Sequence, residues 1–221
     1  MEKEKFLNTY IEIETKTFVK ADKNKKLEAF FKENETDLTK LTCQDIVAII
    51  DVLQSKNITI RQPLYKHLIY PILLAQVAQN NIDAIKGLLK LDEQLTSYQA
   101  NSHDTRYTWA KLLEQGLTIA PNDTDLLKLS EQTTRNYLNY TLHEIPIGVL
   151  YGQDGATIAE CDELLEKVSQ YENLCNQLQL DEKELIENYK FYYTAYKAYL
   201  AVYPNYQNFE DYLNKTYQQT R

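Results

Sequence analysis

The histidines and cysteines are the side chains of this 221-residue sequence with the widest range of chemistry, and their spacing predicts no shared site. His67, His103 and His143 are far apart along the chain. His143-Glu144 is followed by Ile-Pro-Ile, so the sequence lacks the HExxH pattern that places two zinc-binding histidines on one side of a helix. We therefore expect no metal site, no cofactor and no catalytic residues built from these histidines.

The three cysteines do not form a CxxC pair. Cys161 and Cys175 are separated by nearly four turns of a predicted helix, so both fall on its apolar side. This position is typical of buried core thiols and not of a catalytic pair. An odd number of cysteines without a paired motif favours a reducing compartment, and we expect a cytoplasmic protein.

Two arginine–histidine spacings resemble the motif of small all-helical ribonucleases of the HEPN type. The first runs from Arg61 to His67 and contains Pro63, whereas the second, from Arg135 to His143, is one position too long. The resemblance implies an arginine that binds phosphate and a histidine that transfers protons. A ribonuclease of this kind is one alternative function.

The common nucleotide-binding and hydrolase motifs, GxxxxGK[ST], GxGxxG and GxSxG, are missing from the sequence, which favours a non-enzymatic protein. Three of the five glycines fall within a short stretch around residues 145–156. Such clustering indicates a loop that needs unusual backbone conformations, either as a functional loop or as a connector between two halves. The candidate residues of this loop are Gly148, Tyr151, Gly152, Asp154 and Gly155.

The last part of the chain is rich in tyrosine, with nine of the eighteen tyrosines between Tyr189 and Tyr217. Six of them recur at helical spacing: Tyr189, Tyr192, Tyr193, Tyr196, Tyr199 and Tyr203. An aromatic row of this kind can form the core, with the hydroxyls reaching the surface, or it can form a protein interface. Both interpretations remain open from the sequence.

The formal net charge is −8, and the C-terminal third carries most of the excess, with twelve acidic and six basic side chains from Asp154 onward. Nucleic-acid binding usually needs a basic stripe, so we expect no direct contact with nucleic acid. A basic protein partner fits this charge better. The candidate protein-binding residues are Glu163, Glu166, Glu172, Tyr189, Tyr193, Tyr196 and Tyr206.

Low glycine and proline content, with apolar residues at three- and four-residue steps, predicts an all-α fold of about ten helices. Pro121 and Pro204 mark two helix ends. Both Pro-Asn corners resemble the helix ends of tetratricopeptide repeats, although the corners are 83 residues apart, which is no multiple of the 34-residue period. The resemblance implies an irregular α-solenoid or stacked helical hairpins. We expect one domain over 1–221, with a possible subdivision near 144–156.

Several local patterns give further expectations. Thr42 and Asp45 weakly resemble a capping box, and a cap is also predicted around 181–184. Pro71 predicts a kink or break in a helix over 61–79, and the polar stretch 97–108 suggests a loop. The longest apolar run, 68–77, is about half of a membrane span, and no contact with a membrane is expected.

Together these patterns predict a non-enzymatic, acidic protein-binding module. Its most concrete form is a bacterial immunity-type inhibitor that binds and neutralises a basic toxin domain such as a nuclease. A helical-repeat scaffold that holds peptides in a groove is the second alternative, beside the ribonuclease.

Overall fold

The computed structural model describes residues 3–102, 106–145 and 157–217. These residues form helices and no strand, which confirms the predicted all-α class. The helices are α1 Lys3–Lys16, α2 Lys20–Glu33, α3 Glu35–Leu38, α4 Cys43–Ser55, α5 Gln62–Leu64, α6 Tyr70–Val77, α7 Ile82–Leu89, α8 Asp92–Ser102, α9 Trp109–Ile119, α10 Thr124–Glu144, α11 Ile158–Leu178, α12 Lys183–Val202 and α13 Phe209–Tyr217.

The chain divides into two compact units, an N-terminal unit, Met1–Asp123, and a C-terminal unit, Thr124–Arg221. The junction coincides with the predicted corner at Pro121, where α9 ends at Ile119 and α10 begins at Thr124. The subdivision expected near 144–156 falls almost wholly outside the described residues and stays a prediction.

The helix expected over 61–79 continues through Pro71 without a break. Between α5 and α6 the turn Tyr65–Ile69 is a π-helix, in which the N–H of Tyr70 donates to the carbonyl of Tyr65. A proline ring clashes with the carbonyl four residues earlier in an α-helix, and here that residue is His67. The wider π turn is the local change that relieves this clash.

The core of the N-terminal unit is aliphatic with a few aromatic rings. Helix α7 packs against α4, α6 and α9, and Gly87 on α7 allows a close approach, since a Cβ there would lie 3.1 Å from Leu73. The wholly buried side chains include Phe6, Tyr10, Leu27, Ile46, Ile49, Ile50, Leu53, Leu64, Leu73 and Ile85.

The prediction of a loop over 97–108 was wrong for residues 97–102, because α8 extends to Ser102. The ring of Tyr98 lies 4.5 Å from that of Tyr70, and Leu95 is wholly buried. These tertiary contacts stabilise a helix that its polar sequence did not predict.

In the C-terminal unit α10, α11 and α12 run alternately up and down, and α13 packs back on α12. The apolar side predicted for α11 is buried as expected, with Cys161, Val168 and Cys175 in the core. The core is otherwise dominated by tyrosine, together with Leu138 and Phe209.

Two of the predicted helix starts differ in how they are capped. Thr42 and Asp45 form the complete capping box, in which each side chain binds the other residue's backbone N–H. At α12 the cap predicted around 181–184 was wrong, because Glu182 makes no cap hydrogen bond. Its carboxylate instead binds the guanidinium of Arg135 on α10.

Candidate protein-binding face

The predicted acidic residues lie on α11, and they differ in how much of their charge is free. Glu163 and Glu166 are exposed, and neither has an ion-pair partner among the described residues. Glu172 is half-buried, and its carboxylate accepts a hydrogen bond of 2.6 Å from the ammonium of Lys190 on α12. Glu163 and Glu166 therefore carry uncompensated charge, whereas Glu172 is already paired.

Three of the predicted tyrosines are core residues. Tyr189 and Tyr193 are wholly buried and Tyr196 is almost so, with its ring 5.0 Å from that of Phe209. Burial raises the pKa of Tyr189 to about 12, so its hydroxyl stays protonated and donates to Asn139 at 2.6 Å. These rings are covered by the unit's own helices and are not exposed to a partner. Of the two interpretations left open by the sequence, the core interpretation describes them.

Of the remaining predicted residues, Tyr206 is described by the structure and the loop residues are not. Tyr206 is half-buried, with its ring 5.0 Å from that of Tyr212 and the ammonium of Lys215 5.7 Å from its centroid. The candidate loop residues Gly148, Tyr151, Gly152, Asp154 and Gly155 lie outside the described residues.

A different set of aromatic side chains reaches the surface of α12 and α13. Phe191 is 43% exposed and Tyr217 is 37% exposed, and their ring centroids are 5.2 Å apart in an edge-to-face arrangement. Tyr192 is half-buried, and its ring centroid also lies 5.2 Å from that of Phe191. We call Phe191, Tyr192 and Tyr217 the aromatic cluster.

Acidic side chains border the aromatic cluster on α12. Glu184 and Glu187 precede Phe191 by seven and four residues, so the three share one side of the helix, and all are exposed. Glu187 has only a long contact of 3.9 Å with Lys183, and Glu184 has no ion-pair partner among the described residues. An aromatic centre with a charged border is the usual anatomy of a protein interface.

The charge of the two units differs sharply. The C-terminal unit has fifteen acidic and eight basic side chains, a formal charge of −7, whereas the N-terminal unit has seventeen and sixteen, a formal charge of −1. Nearly all of the protein's net negative charge thus belongs to the unit that carries the aromatic cluster. A charge of this size attracts basic partners over about one Debye length, which is roughly 8 Å at physiological ionic strength.

The helical spacing of residues along α12 was the signal in the sequence that could have identified the aromatic cluster. Ile186, Tyr189, Tyr193 and Tyr196 form the buried side of α12. Phe191 lies between them in sequence at a position that points away from that side. An aromatic residue on the polar side of an amphipathic helix is more informative about an interface than the tyrosine row opposite.

The two residues of the first arginine–histidine pair, Arg61 and His67, contact different carboxylates. The guanidinium of Arg61 binds the carboxylate of Glu14 on α1. The imidazole of His67 instead lies 2.8 Å from the carboxylate of Glu28 on α2 and stacks on Phe31. His67 also borders a cleft of about 530 Å³ between α2, α3 and α6, and Arg61 is not among the residues that line it.

The second pair is also held apart. Arg135 binds Glu182 and approaches Glu131 on its own helix, and the hydrogen bond from Arg135 to Glu182 raises the pKa of the guanidinium. His143 is exposed about two helical turns further along α10. In neither pair does the structure bring the arginine and the histidine to one point.

The cysteines take the positions expected from the sequence. Cys161 and Cys175 are buried, and burial raises the pKa of the Cys161 thiol to about 11. Within the described residues no three histidine, cysteine or acidic side chains lie close enough to hold a metal ion. No helix in that part of the chain has both the length and the apolar content needed to cross a bilayer.

Comparisons with known proteins found no match: no family model, no curated protein and no solved structure is significantly similar to this chain.

Proposed function

We propose that this protein is a non-enzymatic binding module that uses its C-terminal unit to bind a basic protein domain. In its most concrete form it is a cytoplasmic, bacterial immunity-type inhibitor that neutralises a basic toxin domain such as a nuclease. The observation that carries the proposal is the exposed Phe191–Tyr217 pair, bordered by Glu184 and Glu187 in a unit of charge −7.

The two components of this face have different physical roles. The acidic side chains attract a basic domain at a distance and raise the rate of association. The aromatic rings supply apolar area that is removed from water in the complex, which slows dissociation. Such a combination suits an inhibitor, because an inhibitor must bind quickly and remain bound.

A nuclease is the most suitable target of this kind. Its substrate is a polyanion, so the surface that it uses is basic. An acidic face that covers this surface competes directly with the nucleic acid and needs no chemistry of its own. Glu163 and Glu166, exposed on α11, extend the acidic character of the unit beyond the border of the aromatic cluster.

The test begins with parallel affinity purifications from the source organism, using the wild-type chain and Phe191→Ala as baits. A protein retained by the first bait and lost from the second is then produced alone. Its affinity for each variant is measured by calorimetry, and its nuclease activity is measured with and without the wild-type chain. We expect Phe191→Ala to weaken binding by tenfold or more, as for a hot-spot aromatic residue.

Two further variants separate charge from the apolar contact. Glu184→Lys with Glu187→Lys is expected to slow association, with a smaller effect at high salt, and to leave dissociation nearly unchanged. Tyr140→Ala is the matched control, because this ring is also exposed, on α10, outside the aromatic cluster. Equal binding by wild type and Phe191→Ala would contradict the proposal. Retention of many unrelated extended peptides would favour the peptide-binding scaffold instead.

A further inference from the structure

The connection between α1 and α2 exposes two adjacent apolar side chains. Phe18 is 92% exposed and Val19 is 58% exposed, the highest values among the large apolar side chains that the structure describes in the N-terminal unit. Lys16 ends α1 and Lys20 begins α2, so a lysine stands on each side of the pair. We call Phe18 and Val19 the apolar tip.

The tip lies in the most basic short stretch of the chain. Residues 16–26 contain five lysines and one acidic side chain, Asp22, a formal charge of +4 in a protein of charge −8. Lys20 and Lys25 are exposed and have no acidic partner among the described residues. Lys16 is partly compensated, because its ammonium lies 2.6 Å from Glu12. The charges of Lys20 and Lys25 are therefore available to an anionic surface.

Hydrogen bonds fix the base of the tip. Thr17 is buried, and its hydroxyl accepts a hydrogen bond of 3.1 Å from the ammonium of Lys26. The ammonium of Lys23 donates to the backbone carbonyl of Glu14 at 2.6 Å. The short connection is thus tied to both helices, which presents Phe18 in a defined position and lowers the entropic cost of binding.

We propose that this tip docks the protein on an anionic lipid surface. Phe18 and Val19 enter the boundary between the headgroups and the acyl chains, while the exposed Lys20 and Lys25 contact the lipid phosphates. This peripheral contact departs from the expectation, drawn from the sequence, that the protein makes no contact with a membrane. It does not depend on the proposed function of the C-terminal unit.

The shape of the tip favours a membrane over an acidic protein. A specific protein interface buries about 800 Å² on each partner, and its apolar centre is surrounded by further contacts. The tip offers only two apolar side chains on a convex turn with lysines at its base. A bilayer needs no matching cavity: a shallow apolar insertion combined with nearby basic side chains is sufficient for reversible binding.

Co-sedimentation of the full chain with vesicles tests the proposal. One set of vesicles contains phosphatidylcholine and phosphatidylglycerol in a ratio of about seven to three, and the other contains phosphatidylcholine alone. We expect binding to the anionic vesicles only, decreasing with salt because the Debye length shortens. Phe18→Ser with Val19→Ser is expected to reduce binding by tenfold or more, and Lys20→Glu by about fivefold.

The controls carry the same chemical changes in the C-terminal unit. Tyr140→Ser removes an exposed ring and Lys128→Glu reverses an exposed charge, and both are expected to bind vesicles as the wild type does. The proposal would be overturned if the wild type failed to bind anionic vesicles, or if the tip variants bound them as strongly as the wild type does. Binding of poly-glutamate but not of vesicles, with a loss in the tip variants, would also overturn it and assign the tip to an acidic protein.

Discussion

The hydroxyl groups of Tyr193 and Thr141 lie 2.6 Å apart in the core of the C-terminal unit, although 52 residues separate them in the sequence. Tyr193 also donates to the carbonyl of Leu138 at 2.9 Å, so one phenol joins the middle of α12 to α10. Burial raises the pKa of Tyr193 well above its usual range, which keeps the hydroxyl protonated and able to donate. This contact explains how a tyrosine occupies the core without an unpaired polar group.

Tyr193→Phe is expected to destabilise the protein by about 1–2 kcal/mol, because the ring stays in place while the hydroxyl of Thr141 and the carbonyl of Leu138 each lose a buried hydrogen-bond partner. Urea unfolding followed by circular dichroism measures the change. Tyr140→Phe is the control, since that hydroxyl belongs to a ring that is 58% exposed. Equal stability of the two variants would contradict the role of the buried hydrogen bond.

Glu14 is expected to be important for the stability of the N-terminal unit. Its buried carboxylate binds the guanidinium of Arg61 and lies 3.4 Å from the ammonium of Lys23. The side chain of Arg61 is only 16% exposed, and that of Lys23 is only 14% exposed. Glu14→Gln leaves two nearly buried cations without their counter-charge, which costs about 3 kcal/mol.

The control for Glu14 is its exposed neighbour on the same helix. Glu12 pairs with Lys16 at the surface, and Glu12→Gln is expected to leave the urea midpoint unchanged. A small effect of Glu14→Gln, similar to that of Glu12→Gln, would mean that the cations are solvated well enough without the carboxylate.

The capping box at α4 gives a pH-dependent prediction. Thr42→Ala removes the side-chain acceptor and should cost about 1 kcal/mol. Hydrogen bonds from the backbone N–H and the hydroxyl of Thr42 hold the pKa of Asp45 below its ordinary value. A carboxyl whose pKa is lower in the folded state than in the unfolded state stabilises the folded state at pH values above the unfolded pKa. This stabilisation is lost as the pH falls through the folded pKa.

We therefore expect the difference in the free energy of unfolding between wild type and Asp45→Ala to have its full value at pH 7 and to decrease below about pH 4. Urea midpoints at several pH values test this dependence. A difference that is the same at pH 7 and pH 3 would indicate that the helix start is stabilised by packing and not by the Asp45 charge.

Gln179 ends α11 in the left-handed region, with a φ of 55°. Glycine adopts this conformation without strain, so Gln179→Gly is expected to stabilise the protein by about 0.5–1 kcal/mol. Gln170→Gly, in the middle of the same helix and also exposed, is expected to destabilise it by about 1 kcal/mol. Thermal unfolding distinguishes them, and a loss of stability in both variants would contradict the prediction.

The three thiols are expected to react at different rates with a disulfide reagent at pH 7.5. Burial raises the pKa of all three thiols, so access decides the order. Cys43 is half-buried and should react first, whereas Cys161 and Cys175 are buried and should react only as the unit opens. Cys43→Ser should remove the fast phase. Simultaneous reaction of all three thiols in the native protein would contradict this order.

The sequence by itself determined much of the local structure of this protein. The helical spacing of Cys161, Val168 and Cys175 predicted the buried side of α11, because that pattern depends only on the 3.6-residue period of a helix. Pro121 predicted the helix ends on either side of it, since proline cannot continue a helix. These predictions needed no knowledge of distant residues.

Only the tertiary structure decided which side chains are covered and which pairs meet. The spacing of the tyrosines on α12 was compatible with a core or with an interface. Their burial depended on hydrogen-bond acceptors about 50 residues away, such as Asn139 and Leu138. Arg61 and His67 are close in sequence, yet Glu14 and Glu28 on different helices hold them at separate contacts. Periodicity is a local property, whereas burial and pairing depend on what the rest of the chain brings to each helix face.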